Sequence, residues 1–280
     1  MAATVVLLMA LALPVRSAEP SPSLTVVTYN LRFASSTGEN AWPSRKDAVI
    51  ECVREMNPDL MGTQEGLYDQ LRDLAAGMPE YAWLGQGREG GSHGEFMAIF
   101  YRRDRFDAQA YDHFWLSDTP EVIGSTSWGN SIPRMATWVR FLDRASQRQF
   151  ILLNTHFDHQ VQAAREKAAE LIAQRIADLK TELPILVTGD FNAVNGHNKA
   201  YDILVQPDRL ADTWHLAAER RNEDCGTFNG FRSVPRDGRR IDWILVRGAV
   251  EVSLAEVVPW RKDDIFPSDH FPVLTRLRWK

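Results

Sequence analysis

Short apolar runs, rich in β-branched residues, alternate along the chain with segments in which apolar residues recur every three to four positions. The first pattern is typical of buried strands and the second of amphipathic helices. The clearest run is Ile-Leu-Val-Thr-Gly, which leads directly into Asp190, Phe191 and Asn192. Because side chains alternate along an extended chain, Asp190 and Asn192 are expected on one side and Phe191 behind them. Strands are predicted at residues 24–30, 59–65, 81–84, 96–101, 106–114, 136–142, 149–155, 185–190, 240–246 and 250–258, with a closing strand that ends at Trp279.

Four segments are predicted to be helices. The first begins near Ser44, a fair N-cap with Asp47 three residues on, and ends at Asn57 and Pro58. The other predicted helices cover residues 67–76, 161–179 and 199–205. A polar turn at residues 143–146 separates two strands in the pattern of a hairpin. Since hairpins are frequent and strands do not alternate strictly with helices, the pattern predicts an α/β fold built on largely antiparallel sheets.

The N-terminal segment is apolar but short. Residues 2–15 carry no charge and are followed by Arg16, Ser17 and Ala18. Such a run is too short to span a bilayer, which takes about 20 residues, and at the start of a chain it is typical of a signal peptide. We therefore expect residues 1–18 to be a signal peptide and residues 19–280 a single domain, secreted or periplasmic, without a transmembrane segment. The alternative is a buried first helix.

The charge balance bears on possible partners. The chain has 32 Lys and Arg against 37 Asp and Glu, a formal net charge of −5. No run of Lys and Arg stands out, whereas proteins that hold long nucleic acids usually carry a basic patch. The chain has two cysteines, Cys52 and Cys225, which could form one disulfide. Cys52 lies on the apolar face of a predicted helix, which favours a buried free thiol.

Polar residues of similar character end five predicted strands, and a carboxylate opens a sixth. Their recurrence is the informative feature, because a single Asn or Asp at a strand end is common in turns. Glu65 and Asp269, with Asn30, offer hard oxygen ligands, and without a Cys and His cluster at zinc-like spacing this set favours Mg²⁺ or Mn²⁺. Such an ion stabilises charge on a phosphoryl oxygen. The residues are Asn30, Glu65, His156 with Asp158, Asp190 with Asn192, Asp242, and Asp269 with His270.

The other side chains of this set suit acid–base chemistry on a phosphate. Asn192 and His156 can donate hydrogen bonds to phosphate oxygens. Asp242 can hold His270 in one tautomer and raise its pKa. The sequence has no Gly-x-Ser-x-Gly elbow and no phosphate-binding glycine loop that ends in Lys-Ser/Thr. The lack of a covalent nucleophile favours direct attack by an activated water molecule.

Six segments occur in the order of one known family and span nearly all of residues 19–280. On these segments the chain resembles the endonuclease/exonuclease/phosphatase superfamily, whose members include DNase I. The resemblance implies a four-layer α/β/β/α sandwich of two packed, mostly antiparallel sheets, with the site at one rim. The segments are Thr28-Tyr29-Asn30-Leu31-Arg32, Thr63-Gln64-Glu65, Asn154-Thr155-His156-Phe157-Asp158, Thr188-Gly189-Asp190-Phe191-Asn192, Arg240-Ile241-Asp242 and Ser268-Asp269-His270-Phe271-Pro272-Val273.

The resemblance also implies roles for the residues at matching positions. Glu65 resembles the main metal ligand, with Asn30 and Asp269 beside it. Asp190 resembles the residue that orients or deprotonates the attacking water. Mg²⁺ or Mn²⁺ is therefore the expected cofactor.

Four further residues match catalytic positions of the family. Asn192 and His156 resemble phosphate-binding residues that stabilise the transition state. His270 and Asp242 resemble a His–Asp pair, in which the histidine acts as base, acid or electrostatic anchor. Asp158 matches only part of the superfamily.

Within the superfamily the chain looks most like bacterial exported hydrolases, on the His-Phe-Asp-His and Ser-Asp-His-Phe-Pro-Val segments. Arg134 and the glycine-rich loop at residues 88–95 hold positions that can line a substrate pocket, and substrate choice is assigned to the loops around Arg88, Arg134 and Phe228. Asp158 is a further substrate-binding candidate.

The expected function is hydrolysis of a phosphodiester or phosphomonoester by a metal-activated, in-line attack of water. One alternative is a secreted Mg²⁺-dependent nuclease that acts on DNA or RNA. Phospholipid, sphingomyelin, sugar phosphate and inositol phosphate substrates also stay open. A different class, a non-catalytic binding protein on the same scaffold, predicts losses among the site residues, and none of them is lost.

Overall fold

The computed structural model describes residues 22–263 and 265–280, so the predicted signal peptide, residues 1–18, lies outside the described residues. The strands, in chain order, are β1 (Leu24–Asn30), β2 (Leu60–Gln64), β3 (Tyr81–Leu84), β4 (Ile99–Arg102), β5 (Phe106–Trp115), β6 (Met135–Asp143), β7 (Arg148–His156), β8 (Ile185–Asp190), β9 (Ala211–Asp212), β10 (Glu219–Arg221), β11 (Asp242–Arg247), β12 (Val250–Val257) and β13 (Val273–Trp279). The helices are α1 (Trp42–Met56), α2 (Tyr68–Gly77), α3 (Gln162–Asp178), α4 (Lys199–Leu204) and α5 (Thr213–Leu216).

The strands form two sheets. The first has the order β10-β12-β13-β1-β2-β4-β3 and the second the order β5-β6-β7-β8-β11-β9. Three neighbouring pairs run parallel: β1 with β2, β7 with β8, and β10 with β12. The other described pairs are antiparallel. The prediction of largely antiparallel sheets is confirmed.

The two sheets pack face to face, and helices cover their outer faces. Adjacent residues of a strand point to opposite faces, so Val26 and Leu60 lie in the core between the sheets. Their neighbours Val27 and Met61 pack under α1 and α2. On the other side, α3 and α4 pack on the second sheet. The layers are therefore α/β/β/α, as the resemblance implied.

A buried polar layer joins the two sheets below the site. Asn154 on β7 accepts a hydrogen bond from Gln64 Nε2 at 2.7 Å and donates one to the carbonyl oxygen of Thr63 at 2.7 Å. Thr188 Oγ1 on β8 donates to the same Asn154 oxygen at 3.1 Å. A Cβ at Gly62 would lie 2.1 Å from Thr188 Oγ1, so this close approach of the sheets needs glycine. The layer holds the ends of β2, β7 and β8 in one fixed arrangement.

The start of the first helix was predicted wrongly. Helix α1 begins at Trp42, two residues before the predicted N-cap Ser44, and no side chain caps it. Pro43 fits the first turn because its fixed φ is helical and its missing N–H has no partner to lose there. The predicted end is right: Asn57 adopts a left-handed φ of 47° and its N–H donates to the Val53 carbonyl.

Three short elements between residues 211 and 221 were not predicted. These are β9, α5 and β10, which have two to four residues each. They are too short to show a hydrophobic period. Strand β10 is also exposed throughout, so burial leaves no trace in its sequence.

Two other expectations concern the cysteines and the membrane. Cys52 and Cys225 are both buried and free, which confirms the buried thiol at Cys52 and answers the disulfide question. Within residues 22–263 and 265–280, helices long and apolar enough to cross a bilayer are absent.

Candidate active site

Strand direction brings the predicted residues of the first sheet to one edge. Strands β1 and β2 are parallel and end side by side, with Asn30 opposite Gln64, and Glu65 follows at once. Strand β13 runs antiparallel to β1. Asp269 and His270 precede β13, so they lie at the same edge, next to the ends of β1 and β2.

The second sheet delivers its residues to the same edge. Strands β7 and β8 are parallel and end with His156 opposite Asp190. Strand β11 runs the other way and begins with Asp242, also opposite Asp190. Across the gap between the sheets, Asn30 Nδ2 donates to Asp190 Oδ2 at 2.9 Å. The sheet packing thus joins two sets of strand ends into one cluster.

Asp190 is the centre of this cluster. Its side chain is buried and accepts hydrogen bonds from Asn30 and from the backbone N–H of Asn192, at 2.9 Å each. Burial raises the pKa of Asp190 to about 7, and the charge of Asp242 adds to this effect while His270 opposes it. A carboxylate with a pKa near neutrality is suited to take a proton from water.

His270 and Asp242 form the expected pair. His270 Nδ1 lies 3.0 Å from Asp242 Oδ2, and both side chains are buried. Burial by itself would lower the pKa of His270, but the carboxylates of Asp242 and Asp190 outweigh it and raise this pKa to about 10. The imidazole is therefore positively charged near neutral pH, with Nε2 on the side of Asp190 at 3.7 Å. Its ring also meets the half-exposed ring of Phe228 edge to face.

Glu65 lies at the first-sheet side of the cluster. Its two carboxylate oxygens accept from Asn30 Nδ2 at 3.0 Å and from the N–H of Phe33 at 3.1 Å. Burial raises the pKa of Glu65, but these hydrogen bonds and the charge of His270 outweigh burial and lower the pKa below its usual value. Glu65 is therefore an anion at neutral pH.

Arg32 lies between two of the predicted metal ligands. Its guanidinium nitrogens lie 3.8 Å from Glu65 Oε2 and 3.7 Å from Asp269 Oδ2. Burial and the charge of Glu65 raise the pKa of Asp269. The backbone of Arg32 is held in turn by the fully buried Arg45, whose Nη2 donates to the Arg32 carbonyl.

The hydrogen bonds define which way the Asn30 amide points. Its Nδ2 donates to both Glu65 and Asp190, and its Oδ1 accepts from the N–H of Arg32. A rotated amide would place its oxygen against two carboxylates, so this orientation is the one that satisfies all groups. Asn30 thus aligns the two carboxylates, and its direct contact with a metal stays a prediction.

Three of these residues have a left-handed backbone without being glycine. The φ angles are 54° at Arg32, 62° at Glu65 and 48° at Asn192. Such conformations cost free energy and occur at functional sites that the surrounding structure holds in place. At Glu65 and Asn192 the turn directly follows a strand end, which directs the side chain into the site.

Arg134 organises two histidines at the other side of Asp190. Its Nη1 and Nη2 donate to Nδ1 of His156 and of His159, at 3.0 Å each. Because arginine only donates, Nδ1 of each imidazole is the acceptor in these hydrogen bonds. Burial and the charge of Arg134 lower the pKa of His156 well below its usual value, so it is neutral. His156 Nε2 lies 3.4 Å from Asp190 Oδ2 and 3.1 Å from Asn192 Nδ2.

Asp158 lies behind Arg134, with 3.8 Å between Asp158 Oδ2 and Arg134 Nε. Its Oδ1 accepts from the N–H groups of Gln160 and Val161, just before α3. The hydrogen bonds of Asp158 therefore organise the chain at the start of that helix and support Arg134.

The cluster lines a cavity with a volume of about 410 Å³. The lining includes the predicted residues Glu65, His156, Asp190, Asn192, Asp269 and His270, together with Arg88, Glu95, Ile132, Arg134 and His159. Glu95 and His159 were not assigned roles from the sequence. The glycine-rich composition around Glu95 and the second histidine of His-Phe-Asp-His are the signals that pointed to them.

The acidic cluster fits a hard divalent cation. Carboxylate oxygens of Glu65 and Asp190 lie within 4.8 Å of one another. Burial, with the charge of Glu65, raises the pKa of Asp269, and a cation beside this carboxylate would favour its charged form. Carboxylate-rich sites of this kind suit Mg²⁺ and Mn²⁺. The geometry groups Glu65 with Asp190, while Asp269 lies beyond Arg32.

The fold and the site together define a phosphoesterase of the DNase I-like class, a hydrolase of the phosphatase and nuclease type. The chain belongs to the endonuclease/exonuclease/phosphatase family, whose sequence profile matches residues 27–270.

Solved structures agree with this assignment. An endonuclease/exonuclease/phosphatase family protein from Bacteroides thetaiotaomicron is 34% identical, with a TM-score of 0.85 over 94% of this chain and 99% of that one. A mannosyl-6-phosphatase from the same species is also 34% identical, with a TM-score of 0.84 over 91% of this chain and all of that one. An uncharacterised protein of Acanthamoeba polyphaga mimivirus is 28% identical over 253 residues, 83% of this chain and 91% of that protein.

Proposed function

We propose that this protein is a Mg²⁺- or Mn²⁺-dependent phosphatase that hydrolyses phosphomonoesters of small polar molecules, with sugar phosphates as the leading class. The observation that carries the proposal is the convergence of Asp190, Asn192, His156 and His270 on one cavity beside Glu65. A carboxylate with a pKa of about 7, a cationic imidazole and amide donors are the groups that phosphate hydrolysis by water requires.

The metal is assigned to the acidic side of the cavity. Glu65 would hold it, with Asn30 and Asp269 as the further predicted ligands. When bound, a divalent cation polarises the phosphate and neutralises charge on its oxygens.

The residues of this chain support a direct attack of water. Asp190 accepts the proton of the attacking water, because its oxygens face the cavity edge and its pKa lies near neutrality. The new bond forms between the water oxygen and phosphorus as the bond from phosphorus to the leaving oxygen breaks. The leaving oxygen gains a proton from solvent, so an alcohol and inorganic phosphate result.

His270, His156 and Asn192 stabilise the phosphoryl oxygens in this scheme. His270 offers a positive charge that Asp242 maintains. His156 is neutral and, with Arg134 on its Nδ1, offers its Nε2–H. These groups are positioned before substrate binds, so little reorganisation is needed as charge develops.

Three observations favour a small monoester over a polymer. The cavity has a volume of about 410 Å³ and is lined by side chains that include Arg88, Glu95 and Arg134. The formal net charge of −5 does not favour a long polyanion. The similarity to a mannosyl-6-phosphatase extends over nearly all of both chains.

The test measures hydrolysis of p-nitrophenyl phosphate and of hexose 6-phosphates with Mg²⁺, with Mn²⁺ and with EDTA. We expect activity with either metal and its loss with EDTA. His270→Ala is expected to lower kcat about 10²- to 10⁴-fold. His215→Ala is the matched control, because His215 is exposed and does not line the cavity.

Bis-p-nitrophenyl phosphate, plasmid DNA, RNA, sphingomyelin and inositol phosphates serve as competing substrates at the same enzyme and salt concentration. Higher kcat/KM on DNA or RNA than on any monoester would replace the proposal by the nuclease alternative. Equal rates for the wild type and His270→Ala would overturn the assigned catalytic site.

A further inference from the structure

The lining of the cavity includes an ion pair that the reaction scheme does not use. Arg88 Nη1 and Glu95 Oε2 lie 2.6 Å apart, and each side chain keeps only 14% of its surface exposed. Both residues line the same cavity as Asp190 and His270. A charged pair that is largely enclosed but still lines a substrate cavity has surface left for a ligand, whereas a purely structural pair does not need to face the cavity.

The loop that carries the pair is fixed by hydrogen bonds. The N–H of Arg88 donates to the carbonyl of Glu95 at 2.9 Å, and Trp115 Nε1 donates to the carbonyl of Arg88 at 2.7 Å. At Gly87 an added Cβ would lie 2.0 Å from the carbonyl oxygen of His93, so the loop can close only with glycine there. The loop therefore positions Arg88 and Glu95 before any ligand binds.

Contacts between neighbouring side chains lead from Asp190 to Arg134, which lines the same cavity as the ion pair. Asp190 is 3.4 Å from His156, and Arg134 donates to the other nitrogen of the same imidazole. Arg134 lines the cavity beside Arg88 and Glu95. A phosphate near His156 would therefore share one cavity with Arg88 and Glu95.

The pair still has free donor and acceptor capacity. Among the described residues, the side-chain hydrogen bonds of this pair involve only Arg88 Nη1 and Glu95 Oε2, so Nη2 and Oε1 are not engaged. These two atoms form a donor next to an acceptor. A hydroxyl group can accept from the first and donate to the second, and neighbouring hydroxyls can use both.

The charge of the ion pair determines that it binds neutral hydroxyl groups in preference to anions. Burial raises the pKa of Glu95 to about 7, so at pH 8 the contact of 2.6 Å between guanidinium and carboxylate is a charge-assisted hydrogen bond, and the two opposite charges cancel. A second phosphate would meet the Glu95 carboxylate, which repels it. A neutral, polyhydroxylated group meets no such repulsion.

We propose that Arg88 and Glu95 form a hydroxyl-binding subsite that selects phosphomonoesters whose leaving group is an uncharged polyol, such as a sugar ring. The inference rests on the proposed phosphatase function and names the substrate class of that site. Glu95 and Arg88 are specificity residues in this assignment and take no part in proton transfer.

The test compares two primary phosphomonoesters, a hexose 6-phosphate and butyl phosphate, at pH 8 with saturating Mg²⁺. For Glu95→Gln we expect kcat/KM for the hexose phosphate to fall about 10-fold more than kcat/KM for butyl phosphate. The reason is that the substitution weakens only the binding of leaving groups that carry hydroxyl groups, and butyl phosphate has none. Glu89→Gln, an exposed carboxylate on the same loop, is the control and should keep the wild-type ratio. Equal losses on both substrates would mean that Glu95 is only structural and would overturn the subsite.

Two further measurements distinguish a hydroxyl-binding subsite from an anion site and from a purely structural ion pair. Hexose 1,6-bisphosphate is expected to be a poorer substrate than the 6-monophosphate, and a clear preference for it would overturn the subsite in favour of an anion site. Binding of free mannose and glucose, measured by calorimetry, needs no hydrolysis. Binding to the wild type that weakens in Glu95→Gln supports the subsite even if no phosphomonoester is hydrolysed, which would be a failure of the proposed function alone. Equal binding, or none to the wild type, overturns the subsite.

Discussion

The buried side chain of Asp242 has a hydrogen-bond partner in the imidazole of His270. Among the described residues its side-chain hydrogen bond goes to His270 Nδ1, and its second oxygen, Oδ1, is buried without a partner. A carboxylate removed from water is costly unless a positive charge compensates it. His270 supplies that charge, so the two residues are stable only as a pair, and the pairing leaves the Nε2–H of His270 at the cavity.

Asp242→Asn keeps the shape of the pair and removes its charge. The pKa of His270, held at about 10 chiefly by Asp242, should fall, because the neutral amide no longer outweighs the effect of burial. We expect kcat for a phosphomonoester to drop about 10²- to 10⁴-fold, since the site loses a charged hydrogen-bond donor to the phosphate.

Steady-state kinetics with saturating Mg²⁺ measures this loss, and the thermal midpoint shows whether the variant is folded. Asp69→Asn, at a carboxylate that is 93% exposed, is the control. A kcat for Asp242→Asn equal to that of the control would contradict a role for the pair in catalysis.

The secondary-structure elements owe their arrangement at the site to one close approach between sheets. Strand β2 crosses β7 and β8 at Gly62, where the side chains of Asn154 and Thr188 occupy the space of a Cβ. The end of β2 lies two residues further on, followed by Glu65. The distance between Glu65 and Asp190 therefore depends on a glycine that touches neither.

Gly62→Ala is expected to destabilise the protein by about 1–3 kcal/mol, because the added methyl group overpacks a buried contact. Gly196→Ala is the control: nothing lies within 4 Å of its added Cβ, but its φ of +65° costs a non-glycine residue about 1 kcal/mol. Urea unfolding of both variants gives the two free energies. If Gly62→Ala cost no more than the control, the close approach would not be essential.

At the scale of the whole molecule, the end opposite the site is held by charge. Arg105, just before β5, contacts Asp59 at 2.8 Å and Asp143 at 3.0 Å. Asp59 precedes β2 in the first sheet and Asp143 ends β6 in the second. One guanidinium thus ties the two sheets together at the far end, while the polar layer of Asn154 joins them near the site.

This tie predicts how stability depends on pH. Burial raises the pKa of Asp143, but hydrogen bonds from Arg105 and Ser146 outweigh it and lower the pKa below its usual value. A lowered pKa in the folded state means that the stabilisation is complete above the unfolded value of about 4 and is lost as pH falls through the folded value. The wild type should therefore lose stability steeply in acid.

Asp143→Asn should be less stable by about 1–3 kcal/mol at pH 7, because a buried charge-assisted hydrogen bond is lost. Its stability should also change less between pH 5 and pH 3. Urea unfolding across this range checks both, with Asp107→Asn, at a half-exposed carboxylate paired with Arg144, as the control. Parallel pH curves for Asp143→Asn and the wild type would contradict the assignment.

The elements that the sequence predicted are those with a hydrophobic period of their own. The runs at β1, β8 and β13 each bury at least one full face, so composition and alternation both mark them. The start of α1 and the short elements from β9 to β10 were missed, because a turn or two carries no period. The polar residues at strand ends were predictable as a set, since several strands with the same ending are improbable as turns alone.

The amino-acid order therefore specified the longer strands, the four layers through a family resemblance, and the chemical character of the strand-end residues around Asp190. Folding alone decided which atoms meet. The left-handed turn at Glu65 and the orientation of the Asn30 amide depend on contacts between residues far apart in the chain. Local preferences are read from neighbouring residues, whereas these contacts are set by packing two sheets against each other, and only the packed structure defines them.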